Sequence, residues 1–95
     1  MSVGILTLSI HLPNCHSLKE KRGQIKPIIH RLHKEFNISV VESGHQDLWG
    51  SCELLIACAG SQGAPIEATL TKVMAFYESH WPDLPITDEK IEIII

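Results

Sequence analysis

No stretch of this 95-residue sequence approaches the roughly 20 consecutive apolar residues of a bilayer-spanning helix, and the N-terminus lacks a charged-then-apolar leader pattern. A soluble protein away from membranes is the expectation. Cysteine is scarce and odd in number: Cys15, Cys52 and Cys58, with no CxxC. That argues against a disulfide framework and fits reduced thiols in a cytoplasm. Aromatic residues make up only 5 % of the chain. Internal repeats, low-complexity tracts and linkers are also missing, so residues 1–95 read as one domain of ordinary size for a self-sufficient core.

Catalytic signatures are missing too. The sequence holds no GxSxG, no P-loop, no GxGxxG and no HExxH. Cys15 stands beside His16, but sequence neighbours rarely orient as nucleophile and base, and Cys52 and Cys58 read as core residues. Neither His11, Cys15 and His16 nor the pair His30 and His33 has a structural-zinc spacing. The expectation is a non-enzymatic protein with no catalytic residues, no metal, no cofactor and no evident small-molecule substrate.

What the sequence does have is one stretch that organises the rest, SLKEKRGQIKPIIHRLHKEF from Ser17 to Phe36. Ser17 with Glu20 three residues on forms a capping box, the serine oxygen accepting from first-turn amides and the glutamate reaching back to the cap amide. At about 100° per residue, Leu18, Ile25, Ile28, Ile29, Leu32 and Phe36 share one face, the side that would bury against a sheet. Lys19, Arg22, Lys26, His30 and His33 form a second stripe beside it, with Lys34 at its edge. Arg31 and Glu35 make an i,i+4 pair elsewhere. Pro27 removes one amide and presses on the carbonyl of Gly23 at a cost of about 3 kcal/mol, so a bend or two helical pieces are expected there.

The formal charge of −3 conceals a division. Residues 1–36 carry six Lys and Arg against two acidic residues, +4; residues 37–95 carry two against nine, −7. A bulk nucleic-acid binder is usually basic throughout. Here one surface alone has that character.

Taken in order, Val3 to Leu12 alternates strictly. Gly4, Leu6, Leu8, Ile10 and Leu12 point one way; Val3, Ile5, Thr7, Ser9 and His11 point the other. The first helix follows Pro13-Asn14, and Ile38 to Ser43 is a second strand. Gly44 to Gly50 is a glycine-bounded loop, and Ser51 to Gly60 is a nearly unbroken apolar strand suited to a central position. Pro65 fits the first position of a second helix, with Ile66, Leu70, Val73, Tyr77 and Trp81 as its core stripe. Pro82 stops that helix, and Ile86 to Ile95 ends the chain as a strand. The order βαββαβ with right-handed crossovers gives an α+β, ferredoxin-like two-layer sandwich: a four-stranded antiparallel sheet with both helices on one face.

Three surfaces then stand out. Lys19, Arg22, Lys26, Lys21, His30, His33 and Lys34 could neutralise phosphates on RNA or a ribosomal particle; the plain alternative is a solvated helix flank. Among them Lys21 lies near the apolar stripe, where it could instead snorkel along the core edge. The outer sheet positions Val3, Ile5, Leu55 and Ala57 are apolar enough to suggest a partner, and a homodimer is the economical one. They carry no aromatic ring, so this is not the stacking face of an RNA-recognition motif. The C-terminal IEIII could alternatively extend a sheet edge. Asp47 and Trp49 form the third feature. The ring is either an interaction anchor or, more often for such a loop, a lid folded over the open end of the core, with Asp47 holding the turn.

The runs VGILTLSIHLP, SLKEKR (Ser17 to Arg22), RLHKEFNISVVE and QDLWGS (Gln46 to Ser51) resemble the YlxP-like family of small bacterial proteins, catalogued as domain of unknown function 503. That resemblance spans nearly the whole chain. It implies a ferredoxin-like fold, a bacterial cytoplasm and genes that often neighbour those of translation and ribosome maturation. It implies no activity and therefore no catalytic residues. Gly23 and Pro27 depart from the uninterrupted helix of relatives.

Overall fold

The alternation in the first dozen residues produces a strand with one dry face. In the computed structural model, which describes residues 1–45 and 48–94, that strand is β1 (Ser2–His11). It is followed by α1 (Leu18–Glu35), β2 (Ser39–Gly44), β3 (Ser51–Gly60), α2 (Gly63–His80) and β4 (Ile86–Ile94). The strands form one antiparallel sheet in the order β2-β3-β1-β4, the ferredoxin-like arrangement. Residues with the most apolar sequences, β1 and β3, lie in the middle, where both neighbours supply hydrogen bonds and the helices supply cover.

Leu6, Leu8 and Ile10 of β1 and Cys52, Leu54 and Ile56 of β3 are fully buried. They join Ile25, Ile28 and Leu32 of α1 and Ile66, Leu70, Val73 and Tyr77 of α2 in one core cluster, so both helices cover the same sheet face. Gly4 marks the closest approach. A Cβ there would fall inside the van der Waals shells of Ile66 Cγ2 and Leu70 Cδ1, so any side chain at Gly4 would push α2 off the sheet.

Local chemistry departs from expectation at three points. Pro27 lies inside α1, which runs as one helix from Leu18 to Glu35 and not as two pieces. Pro27 and Gly23 are both exposed, so the disturbance falls on the solvated side of the helix, which continues past it. The Ser17 oxygen accepts from the Glu20 amide at 3.1 Å, but the Glu20 carboxylate accepts from His16 N at 3.0 Å, one residue ahead of the cap. Finally, α2 starts at Gly63 with Gln62 as an N-cap that makes no side-chain hydrogen bond. Pro65 is its third residue. First-turn amides have no intrahelical acceptor, so proline there removes nothing.

Candidate functional site

Each face of α1 does something different, and Lys21 divides them. It occupies a position on the buried side, together with Ile25, Ile28 and Leu32, and only 2 % of it is exposed. Its stem lies along the core while its ammonium contacts Glu42 Oε2 at 2.7 Å. The same ammonium donates to the Leu48 carbonyl at 2.7 Å and to that of His45. Lys21 therefore does not belong to the cationic surface. It fastens the first turns of α1 to the loop between β2 and β3, because a buried ammonium is tolerable only when a counter-charge and acceptors meet it.

His33 is exposed on α1 but is not wholly free. Its Nε2 accepts a hydrogen bond from the Val40 amide of the edge strand β2 at 3.2 Å, so one ring nitrogen is engaged inside the protein. Lys19, Arg22, Lys26, His30 and Lys34 are exposed on α1. Among the described residues, Lys19, Arg22, Lys26 and Lys34 join no ion pair. The paired cations are Lys21 with Glu42, Arg31 with Glu35, and Lys90 with Glu92. From Lys19 to Lys34 the stripe runs roughly 22 Å at about 1.5 Å per residue. Gly23, Lys26, Pro27, Ile29, His30 and His33 line a shallow depression along it. Sequence spacing located this stripe; it could not see that Lys21 and His33 had structural uses.

The loop after β2 begins with His45 at φ 60, a left-handed conformation that histidine tolerates better than most residues. Its backbone is held at several points. Leu48 N donates to His45 O at 3.0 Å, Leu12 N donates to Gly50 O at 2.9 Å, and the His45 ring contacts Ser51 Oγ at 3.2 Å. Trp49 nevertheless is 52 % exposed and its neighbour Leu48 55 %. The expected lid over the core is thus corrected: the backbone is tied down and the indole is left outside. Asp47, expected to hold this turn, lies outside the described residues.

Val3 and Ile5 of β1 and Leu55 and Ala57 of β3 sit side by side on the uncovered sheet face, where Val3 opposes Ala59 and Ile5 opposes Ala57. Flanking them are Val41, across from Leu55, and Ile94, across from Val3. Val3, Val41 and Ile94 are 37 %, 53 % and 53 % exposed, and Ile5, Leu55 and Ala57 are half-buried by their neighbours.

The thiols are all free. Cys15 is buried with its Sγ 3.3 Å from Ser17 O, while His11 and His16 face solvent. Among the described residues no group of three or more His, Cys, Asp and Glu side chains is placed to hold a metal. Burial pushes the Cys52 thiol up to about 12; the Glu42 carboxylate adds to this by its charge and a hydrogen bond, and Lys21 opposes it. A protonated Cys52 is a poor nucleophile. Burial also raises the Tyr77 phenol, the nearby Cys52 adding to the shift. Among the described residues no helix is long and apolar enough to cross a membrane.

A family model described as "Protein of unknown function (DUF503)" matches residues 3–91. The "Uncharacterized protein YlxP" of Bacillus subtilis (strain 168) is 38 % identical over 76 residues, which covers 80 % of this chain and 82 % of that protein.

Proposed function

The chain belongs to the DUF503 family, and from that premise we propose a non-enzymatic cytoplasmic accessory factor that grips RNA, or a ribosomal particle, through the outward flank of α1. One observation carries the reading: Lys19, Arg22, Lys26 and Lys34 project from one helix and, among the described residues, meet no carboxylate. Cations left without internal partners on one face are suited to phosphates, which they neutralise without reading sequence. The surplus of +4 in residues 1–36 supports the same assignment, and the free thiols fit a reducing compartment.

The test is RNA binding measured against salt. Four phosphate contacts, one for each of these α1 cations, predict a log–log slope of about −3 for single strands. Reversing Lys19, Arg22 and Lys26 to Glu should abolish binding while the circular dichroism spectrum stays unchanged. RNA affinity that survives this triple reversal refutes the assignment.

A second reading rests on a separate observation, the exposed Val3, Val41 and Ile94 around Ile5, Leu55 and Ala57. Such a patch on an uncovered sheet supports self-association into a homodimer. Light scattering that returns the monomer mass at micromolar concentration removes it.

A further inference from the structure

We infer that the RNA taken by this surface is single-stranded, with an unpaired base stacked on Trp49 while its phosphates run onto the α1 cations. The inference rests on the α1 reading above and adds to it a ligand class and a second contact.

The argument begins with an imbalance in the loop. His45, Leu48 and Gly50 have their backbone groups engaged by Lys21, Leu12 and one another, so the chain is fixed there by a buried charge. A loop held only to close the core would place its largest ring inward. Here the indole is half-exposed beside an equally exposed Leu48, and among the described residues it contacts no other ring; the aromatic contacts involve Phe36, Phe76, Tyr77, His80 and Trp81. A fixed backbone with an outward aromatic ring is pre-organised for a ligand, since little freedom remains to be lost on binding.

Charge then chooses the ligand. Lys21 Nζ lies 2.7 Å from the carbonyl of Leu48, the residue before Trp49, which ties the loop to the first turns of α1; the same turns carry Lys19 and Arg22 on their exposed side. An outward indole in a loop fastened to the helix that carries the cations offers the two parts that bind single strands, aromatic platform plus electropositive track. A duplex fits poorly: its bases are stacked on one another and offer no free face to an indole in a loop.

The test uses the full chain with two probes, poly(U) and a blunt RNA duplex. Trp49→Leu should weaken poly(U) binding about ten-fold, the scale of one lost stacking contact, and leave duplex binding and the melting temperature unchanged. Trp49→Phe should keep most of the affinity. In a Trp81→Phe background, where Trp49 is the one remaining tryptophan, poly(U) should quench the indole fluorescence. Unchanged poly(U) affinity in Trp49→Leu, or an equal loss on both probes, overturns the inference and leaves the α1 reading standing. Failure of the unaltered protein to bind either probe overturns both. Capture of a protein partner that depends on Trp49, with poly(U) affinity unaffected by Trp49→Leu, reassigns the ring to protein recognition.

Discussion

The loop between β2 and β3 and the turn after α2 are each pinned by a long side chain reaching out of a helix to a backbone carbonyl. From α1, the Lys21 ammonium holds His45 and Leu48. From α2, the Tyr77 hydroxyl donates to Leu84 O at 2.6 Å. Each segment also carries a tryptophan. Trp81 is drawn inward, its ring centroid 5.5 Å from that of Tyr77 and 6.0 Å from that of Phe76, and it packs against the core. Trp49 stays out. The difference teaches that tethering the backbone and burying the side chain are separable. Where both occur, as at Trp81, the ring adds to the core; where only the first occurs, as at Trp49, the ring stays at the surface, as the stacking proposal requires.

The sharpest way to break the comparison is Lys21→Met. Removing the ammonium takes the counter-charge from a largely buried carboxylate, and Glu42 retains 23 % side-chain exposure, which places the loss at about 3 kcal/mol, the low end of the range for such pairs. Urea midpoints measure it, and adding Glu42→Leu should restore much of the deficit. A loss under about 1 kcal/mol would mean that the ammonium does not hold the loop. Next in size is Trp81→Ala, expected to cost about 2 kcal/mol, below the figure for a wholly buried ring because Trp81 is partly solvated.

A pH titration probes the core between the two segments. Burial raises Cys52 from 9.0 to about 12 and raises Tyr77 from 10.0. The folded protein therefore keeps protons that the unfolded chain sheds, so this stability is complete below pH 9 and declines as pH climbs. Each group contributes a slope of about 1.4 kcal/mol per pH unit. Cys52→Ala should delay the onset of the decline from near pH 9 to near pH 10, read from denaturation curves across that window. The smallest effect belongs to Trp49→Ala, under about 0.5 kcal/mol, as for surface substitutions generally. If it instead matches Trp81→Ala, the two segments are alike and the presentation argument collapses.

Much of this molecule is legible in its sequence, and the illegible parts have a common cause. The strands, both helices and the open sheet face follow from alternation and from the stripe on α1, because periodicity reports which side of an element meets the core. Lys21 shows where that logic stops. Its angular position allowed either snorkelling or a surface contact, and only the fold brings Glu42 and two carbonyls to its tip. A lysine in an apolar stripe and a glutamate on the same strand face as buried Val40 were the signals that could have joined them. The bond that His33 accepts from Val40 was hidden for the same reason, since it depends on where β2 lies. Trp49 was expected over the core because rings usually are; a tether supplied from α1 is invisible to local pattern.

The Lys21 ammonium has three hydrogens and three oxygens to receive them, from Glu42, His45 and Leu48. Its valence is full. A planar guanidinium could not reproduce that tripod, so arginine is no conservative replacement at this position. Amine-directed acylating reagents that modify Lys19 and Lys26 within minutes should leave residue 21 untouched until the chain unravels, making its acylation a reporter of the loop letting go.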